Sequence, residues 1–456
     1  MIKTPCGSER VFSRQINLNK SYAFPGKPVS HHWQQDVLYN FVIPVLLLWD
    51  IFYQISSWQE ALFPHQSVIF TYLNYLAVVL HVYLLFYALR RWFKSSHPYI
   101  RASIITAFVF FIGYTFGIQL AYFVPGFDVV RRNLVGNLIP ASFVLILLLV
   151  PISYWQMRVR VLWLVVGVAS IGSVFAIFFQ DLSYLEIGRA SGLFDQSSVS
   201  AGWIVSGTFV LLTQRNLLRI PSLLVLILLL LFSLALLYLG SILAILLACT
   251  TYFSFVVFAI KDIRLRIGVV LICAAVFVAY ITFIWVPSEN TEYTVINYRT
   301  TALLNAIQTG DSAYIYNTTT IEARWNATTG ALKDLPDYFF RGKGLDQDAI
   351  QVTYYTNREI NKLLDVHNAI LGTWLQAGGI AALMYLLFLF MLFRLYWHQA
   401  SLLNKPGLGL ASIAMIMLGL VSVTGIFDST IWPLFIASSC ILFYSPAKPV
   451  PSLPSG

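Results

Sequence analysis

Residues 220–260, IPSLLVLILLLLFSLALLYLGSILAILLACTTYFSFVVFAI, form an apolar stretch that is too long for one membrane-crossing helix. A helix needs about 20 apolar residues to cross roughly 30 Å of hydrocarbon. Backbone exposed to lipid must be helical, so the chain can turn only near the interface. The stretch therefore predicts two helices, separated near Gly240-Ser241, and places the chain in a membrane.

The composition of the whole chain agrees with a polytopic membrane protein. Of its 456 residues, 58% are hydrophobic and only 11% are charged, whereas soluble domains carry about 25% charged residues. The net charge of +9 does not indicate nucleic-acid binding, because the distribution of charge decides its meaning in a membrane protein. We expect membrane lipids around the protein and no nucleic-acid partner.

Apolar segments of sufficient length predict twelve membrane spans, and hence an all-α polytopic protein. The predicted spans are 37–55, 67–89, 102–123, 134–153, 161–180, 199–213, 220–238, 241–260, 267–286, 368–393, 408–426 and 430–446. A large loop, 287–366, separates spans nine and ten, and its residues 300–307 and 321–335 have the apolar spacing of helices.

The positions of Lys and Arg predict the orientation. With a cytoplasmic N-terminus, 19 of the 29 basic residues lie on the inner side, in the N-terminal tail, every short inner loop and the C-terminal tail. Loop 287–366, with seven basic and ten acidic residues, then faces the side of the membrane opposite the cytoplasm. Both chain ends are cytoplasmic only if the number of spans is even, so the charge distribution supports twelve spans.

These features divide the chain into five predicted regions. They are a cytoplasmic tail, 1–36; N-terminal spans, 37–184; a core, 185–395, that includes loop 287–366; C-terminal spans, 396–446; and a cytoplasmic tail, 447–456.

Three groups of polar residues fall on the predicted outer face. Arg189 lies between spans five and six, Arg324 lies on a predicted loop helix followed by the flexible basic turn 341–344 (RGKG), and His367 lies in the first turn of span ten. Taken singly, each has a plain structural explanation: an interfacial arginine, a solvated loop arginine, and a histidine that anchors a helix. We expect Asp365 to cap the span and the helix dipole to keep His367 neutral.

Together, the three groups suit a donor linked through a diphosphate. Guanidinium groups bind phosphate oxygens and stabilise the charge of a leaving diphosphate, and a neutral imidazole accepts a proton from an attacking hydroxyl. The sequence has no HExxH and no His/Cys cluster, and its D-x-D run is confined to 346–348 (DQD) in the long loop. We therefore expect no metal and no other cofactor.

The order of these motifs resembles the O-antigen ligase and polymerase superfamily. His367-Asn368, continuing through Leu371 to Gly378-Gly379, is similar to the family's H-N-x-x-L…G-x-x-G signature, and residues 189–194 (RASGLF) to its R-x-x-G-L-F segment. Residues 324–327 (RWNA) and 340–344 (FRGKG) resemble its arginine-containing loop. The resemblance covers about residues 185–395.

This resemblance implies an inverting, metal-independent glycosyltransferase of the bacterial inner membrane that uses a glycan linked to undecaprenyl diphosphate. It implies that Arg189 and Arg324 bind the diphosphate and that His367 activates the acceptor or contacts the leaving group. The family's Ser-Arg-Gly at the outer start of span eight is replaced here by 240–243 (GSIL). The corresponding arginine is therefore absent, or Arg299 or Arg341 supplies it. The family's Pro-Asn pair is also replaced, by 195–197 (DQS).

The resemblance leaves three acceptors open: the lipid A-core in a ligase, a second lipid-linked glycan in a polymerase, or a Ser or Thr in a protein O-glycosyltransferase. We favour the ligase because one outer loop dominates. A transporter or lipid-glycan flippase is the alternative from another class, and it rests on His81 in the middle of span two and on Asp50 in span one. Such proteins usually show an internal repeat, and none is visible here. A receptor or scaffold does not account for the outer arginines.

Overall fold

The computed structural model describes most of the apolar segments and part of the long loop. The described residues are 33–55, 68–93, 99–118, 121–122, 139–150, 154–179, 192–194, 197–239, 249, 251–253, 263–285, 308–309, 319–344, 351–355, 361–403, 405–420 and 431–443.

The described chain is helical apart from one small hairpin. Its helices are α1 (Trp33–Val37, a π-helical Leu38–Val42 and Ile43–Tyr53), α2 (Val68–Phe93), α3 (Tyr99–Ile118), α4 (Ile139–Leu149), α5 (Trp155–Trp163, a π-helical Leu164–Ile171 and Gly172–Phe179), α6 (Ser197–Leu218), α7 (Ser222–Tyr238), α8 (Ile263–Trp285), α9 (Thr319–Asp334), α10 (Ala369–Ala377), α11 (Gly379–Leu402), α12 (Pro406–Leu420) and α13 (Ile431–Ser439). Short 3-10 turns occupy Gly192–Phe194, Leu335–Tyr338 and Cys440–Phe443.

Within the described residues, four helical stretches are long and apolar enough to cross a membrane. They are Gln35–Tyr53, Tyr72–Arg90, Trp155–Phe179 and Gly379–Leu402. Four shorter apolar helices lie at Ser103–Ile118, Ser222–Leu236, Pro406–Met417 and Ile431–Phe443. The chain is therefore a helical membrane protein, as its composition predicts. α7 ends at Tyr238, just before the predicted break at Gly240, and most of the predicted span 241–260 lies outside the described residues.

The middle of the bundle is built around α6, which is buried from Ser200 to Gln214. Its neighbours include α5, α7 and α13. The hydroxyl of Ser170 on α5 donates to the carbonyl of Trp203 on α6 over 2.7 Å, and Ser206 and Thr208 donate to carbonyls within α6. Small hydroxyl residues let helices pack closely where no hydrophobic force joins them in lipid, so α6 forms the centre around which other helices pack.

Helix ends that the sequence places on the same side of the membrane do meet. At the predicted inner end, a guanidinium N–H of Arg158 donates to the carbonyl of Phe443 over 2.8 Å, and the amide of Gln214 donates to the carbonyl of Cys440 over 2.8 Å. At the predicted outer end, the indole N–H of Trp203 donates to the Gln54 side chain over 3.2 Å. Each of these contacts therefore joins helix ends that the sequence assigns to the same side of the membrane.

Span ten, predicted as one helix over 368–393, is broken in the structure. A nine-residue helix, α10, ends at Ala377, and Gly378 separates it from α11 with a φ of 92°. Residues 319–344 of the long loop pack against α10 and its end. The prediction of a continuous helix was wrong because the apolar pattern continues through Gly378. That pattern gives no sign that part of the long loop packs against the segment at this point.

The long loop also contains a hairpin that the sequence analysis did not predict. Strand β1 (Gln351–Tyr355) pairs antiparallel with β2 (Asn361–Asp365), and Gln351 lies opposite Asp365. The β-branched and aromatic residues of QVTYY favour a strand. Helix α9 contacts both strands, whereas the predicted loop helix at 300–307 lies outside the described residues. The loop therefore combines a helix with a small hairpin.

Candidate functional site

His367 lies immediately before α10, at the point where the hairpin joins the helix. Asn368 is the N-cap: its side-chain oxygen accepts from the backbone N–H groups of Ile370 and Leu371, over 3.0 and 3.1 Å. Two predictions were therefore wrong, since His367 precedes the helix and Asp365, which ends β2, does not cap it. An asparagine in the extended conformation satisfies free N–H groups of a helix end, as N-cap residues do.

The backbone on both sides of His367 is fixed by burial. Val366 and Ala369 are fully buried, whereas the imidazole is half-buried. Val366 belongs to a small apolar core with Ala327 and Ala331 of α9 and Leu375 of α10. A side chain held between two buried neighbours keeps its position, and Nδ1 of His367 is itself buried. This is the preorganisation that a proton-transfer group requires.

Helix α9 brings the position of Arg324 toward the same core. Arg324 lies one turn before Ala327, whose side chain is fully buried in the core with Val366. At its other end, α9 continues into the turn 335–338, where the carbonyl of Leu335 accepts from the indole N–H of Trp374 over 3.2 Å. The C-terminal ends of α9 and α10 are thus adjacent, and the Arg324 end of α9 lies toward the His367 end of α10.

The basic turn 341–344 attaches to the other end of α10. The N–H groups of Lys343 and Gly344 donate to the carbonyls of Leu375 and Gln376, over 2.5 and 3.1 Å. The N–H of Gly379 in turn donates to the carbonyl of Phe339 over 2.5 Å. The sequence analysis treated this turn as flexible. Its N–H groups instead bond carbonyls that a helix C-terminus leaves without partners.

Two glycines make this attachment sterically possible. A Cβ on Gly342 would lie 2.5 Å from the carbonyl oxygen of Gln376, and one on Gly378 would lie 2.8 Å from that of Phe340. Both glycines have positive φ, at 66° and 92°, which other L-residues rarely adopt. Gly342 and Gly378 therefore serve close backbone contact between the turn and the end of α10.

The two cations of the turn have different surroundings. Lys343 pairs with Asp334, with 2.8 Å between Nζ and the carboxylate, and its ammonium lies 5.0 Å from the centre of the Tyr338 ring. Arg341 is exposed and its guanidinium lies 6.0 Å from the centre of the Tyr122 ring. Since Lys343 is held by a carboxylate within the loop, Arg341 is the residue of this turn that presents its charge for binding.

We use the name loop unit for residues 319–344, 351–355 and 361–377. The loop unit is fastened to the apolar bundle at two points: the hydroxyl of Tyr114 on α3 donates to the carbonyl of Phe340 over 2.7 Å, and α10 leads into α11, which packs along α3. The residues of the predicted site that the structure describes therefore lie at one end of the bundle.

The segment that resembles R-x-x-G-L-F is described from Gly192 onward. Phe194 is buried and stacks on Trp203 with 5.9 Å between ring centres. Trp203 in turn bonds Gln54 at the end of α1. The segment therefore sits at the end of the bundle that the sequence analysis assigns to the outer face. Arg189 itself, three residues earlier, lies outside the described residues, as does Arg299.

A second polar site lies within the bundle. Nε2 of His81 on α2 is 3.2 Å from a carboxylate oxygen of Asp50 on α1, and Nδ1 is 2.8 Å from the carbonyl of Ala77. Both side chains are buried, with exposures of 1% and 8%. The sequence analysis treated Asp50 and His81 as separate residues. Ionisable groups inside a membrane tend to pair with one another. This tendency is the signal from which the sequence analysis could have predicted the contact.

No model of a known protein family matches the chain, and a search of curated proteins finds no significant match.

Proposed function

We propose that the protein is a metal-independent, inverting glycosyltransferase of the bacterial inner membrane. It would move a glycan from undecaprenyl diphosphate to a lipid A-core acceptor on the periplasmic face. The observation that carries the proposal is the loop unit, which holds His367 and the Arg324 end of α9 near the start of α10 and the exposed Arg341 at the opposite end of α10. Phosphate-binding cations beside a proton acceptor are what such a transfer requires.

The proposal includes twelve spans with a periplasmic loop 287–366. Helices occupy eleven of the twelve predicted positions, with the eighth mostly outside the described residues. A chain that crosses the membrane back and forth in these twelve spans would place Arg158 and Phe443 on one side and Tyr114 and Phe340 on the other. The contact of Arg158 with Phe443 and that of Tyr114 with Phe340 are consistent with this path. The excess of Lys and Arg on the first of these ends supports its assignment to the cytoplasm.

In the proposed reaction, a hydroxyl oxygen of the acceptor attacks the anomeric carbon of the donor glycan. The bond between that carbon and the diphosphate oxygen breaks, its electron pair stays with the diphosphate, and the hydroxyl proton passes to the imidazole of His367. One displacement inverts the anomeric configuration. The proton is later released to solvent, and undecaprenyl diphosphate leaves as the second product.

The arginines would act on the leaving group. A guanidinium donates to phosphate oxygens in a planar fork and stabilises the charge that develops as the glycosidic bond breaks. Arg324 and Arg341 are the candidates within the described residues, and Arg189 and Arg299 complete the proposed set. Since Lys343 is paired with Asp334, we assign it to holding the turn in place.

The experiment that tests the proposal uses two histidine variants. His367→Ala should lower transfer from the lipid-linked donor by about 10²–10⁴-fold, the usual contribution of a positioned acid–base group. His398→Ala, which removes an exposed imidazole near the far end of α11, should leave transfer unchanged. Full transfer by the His367→Ala protein would remove His367 as the base.

The products of a deletion strain distinguish the possible acceptors. Loss of a ligase leaves bare lipid A-core while polymer accumulates on the lipid carrier. Loss of a polymerase, the alternative within the same class, leaves cores that carry a single repeat unit. Unchanged lipopolysaccharide with an unmodified protein would indicate a protein O-glycosyltransferase.

The Asp50–His81 contact is the observation on which one competing function, a transporter or lipid-glycan flippase, would depend. The carbonyl of Ala77 can only accept, so Nδ1 of His81 carries a proton and Nε2 shares a second one with Asp50. Such a pair inside the membrane is a possible relay for protons. If the protein is a flippase, its deletion should leave lipid-linked glycan in the inner leaflet, and His367→Ala should have no effect on transport.

A further inference from the structure

Phe340, in the segment between α9 and the hairpin, has a large apolar side chain that the protein leaves uncovered. The side chain is 69% exposed, and its ring meets that of Phe339 edge-on with 5.1 Å between ring centres. The backbone of Phe340 is held on two sides. Its carbonyl accepts from the hydroxyl of Tyr114 over 2.7 Å, and a Cβ added to Gly378 would lie 2.8 Å from the same carbonyl oxygen. A fixed backbone therefore presents an apolar ring outward.

The packing of α3 on α11 gives the level of this ring along the bundle. Phe108 packs on Phe388 with 5.1 Å between ring centres, and Phe111 packs on Tyr385 with 5.4 Å. Residue numbers thus rise along α3 as they fall along α11, so the two helices are antiparallel. Continuing this register at the helical rise brings the start of α11 level with the end of α3. Phe340 contacts the residue that precedes α11 and lies at this level, where both helices end.

The side of α3 that carries Tyr114 faces away from the bundle. Phe110, one turn earlier, is 62% exposed and Val109 is also exposed, whereas Phe111 is buried. α3 is one of the proposed membrane spans, and the exposed apolar side of a helix in a membrane faces lipid. Since the hydroxyl of Tyr114 bonds the carbonyl of Phe340, this segment of the loop lies along the lipid-facing side of α3.

We infer that residues 339–341 form a membrane contact in which the ring of Phe340 packs among the acyl chains of phospholipid. Its neighbours are of the kinds that a membrane interface favours, since Arg341 is exposed and its guanidinium lies 6.0 Å from the ring of the exposed Tyr122. Lipid surrounds every exposed apolar side of a membrane span, so the contact needs no further partner. Phospholipid would hold the loop unit against the bundle from outside. This role depends on α3 as a span and is separate from the proposed transfer reaction.

The test places a photo-cross-linking residue at position 340 of the full-length protein. p-Benzoylphenylalanine retains an aromatic ring in place of Phe340 and bonds covalently to nearby C–H groups on illumination. In phosphatidylcholine nanodiscs, the protein substituted at position 340 should gain the mass of one phospholipid about as often as the protein substituted at Phe110. The same substitution at Lys333, an exposed and charged residue of α9, should give several-fold less of this adduct.

Two outcomes of the cross-linking overturn the inference. Covalent dimers from position 340 would assign the ring to a second copy of the chain, and a lipid adduct no more frequent than at position 333 would place the ring in water. Hydroxyl-radical footprinting repeats the test on the wild type in nanodiscs, because it modifies side chains that water reaches. Phe340 should be several-fold protected relative to the chain unfolded in urea, despite its exposure. Modification of Phe340 near the unfolded level overturns the inference even if the substituted proteins do not fold.

Discussion

The two histidines His367 and His81 occupy opposite kinds of environment. His367 is half-buried at the junction of β2 and α10, whereas His81 is 1% exposed inside the bundle and bonds both Asp50 and Ala77. The two imidazoles thus differ in their exposure. A histidine with its two ring nitrogens engaged by the protein is stable but poorly placed to meet a substrate, and this favours a structural role for His81.

The backbones around the two histidines are held by different forces. His367 owes its position to the loop unit, in which Asn368 caps α10 and Gly342 lets the basic turn approach. His81 lies in the middle of a long helix whose own backbone bonds fix it. Variants near His367 should therefore change function by moving the imidazole. Variants of the Asp50–His81 pair should instead change stability by leaving an ionisable group buried without its partner.

The largest expected change in stability comes from dividing the Asp50–His81 pair. His81→Leu or Asp50→Leu alone leaves one ionisable group buried without its partner, and we expect a loss of about 3–5 kcal/mol in the free energy of unfolding. The double variant Asp50→Leu/His81→Leu should recover most of this loss, because apolar residues often replace a buried pair at little cost. Thermal unfolding in detergent measures all four proteins.

The same double variant distinguishes the two functions. If the pair is structural, the recovered protein should transfer glycan at the wild-type rate. A folded double variant that has lost all function, in a cell where His367→Ala remains active, would instead support the transport function.

The second prediction concerns the approach of the turn to α10. Gly342→Ala should cost about 2–3 kcal/mol, because it combines a positive φ with a clash against the backbone of Gln376. Relief of the clash should displace α10 and lower transfer activity. Gly113→Ala is the control: no atom lies within 4 Å of its added Cβ in α3, so it should be neutral or slightly stabilising. Equal behaviour of the two variants would contradict the packing described for the turn.

Much of the bundle could be predicted from the sequence, because apolar length alone specifies where a helix can cross a membrane. Apart from span ten, which is broken at Gly378, the predicted spans that the structure describes coincide with helix, and the end of α7 at Tyr238 matches the break expected near Gly240. The orientation of these helices and their number in the membrane stay predictions.

The candidate site could be predicted less fully, because its shape depends on contacts between distant residues. The sequence pointed to His367, Asn368 and the glycines of 341–344, but the pairing of this turn with the end of α10 joins residues more than 30 positions apart. Apolar periodicity continues through Gly378 and so predicted an unbroken helix. The Asp50–His81 contact was missed for the same reason, since neither residue carries a local signal of its partner.

A smaller effect is expected from removing the cap of α10. Asn368→Ala should cost about 1 kcal/mol, the usual value for an N-cap, and should weaken the first turn of the helix that follows His367. Hydrogen exchange of the amides of Ile370 and Leu371 should accelerate about fivefold if the first turn opens more easily. Asn368→Asp keeps an accepting oxygen and should exchange slowly. Unchanged exchange in Asn368→Ala would show that the cap does not hold this end of α10.

The smallest expected effect tests the attachment of the loop unit to the bundle. Tyr114→Phe removes the hydroxyl that donates to the carbonyl of Phe340 over 2.7 Å. Because this bond is exposed to solvent, its loss should cost only about 0.5–1 kcal/mol. Tyr72→Phe removes an exposed hydroxyl from α2 and serves as the control. If Tyr114 positions the loop unit, Tyr114→Phe should reduce the transfer rate several-fold with little change in Tm, and Tyr72→Phe should change neither. If Tyr114→Phe transfers glycan as fast as Tyr72→Phe does, the hydrogen bond from α3 does not position the loop unit. The junction of α10 with α11 would then be the contact that holds His367 at the end of the bundle.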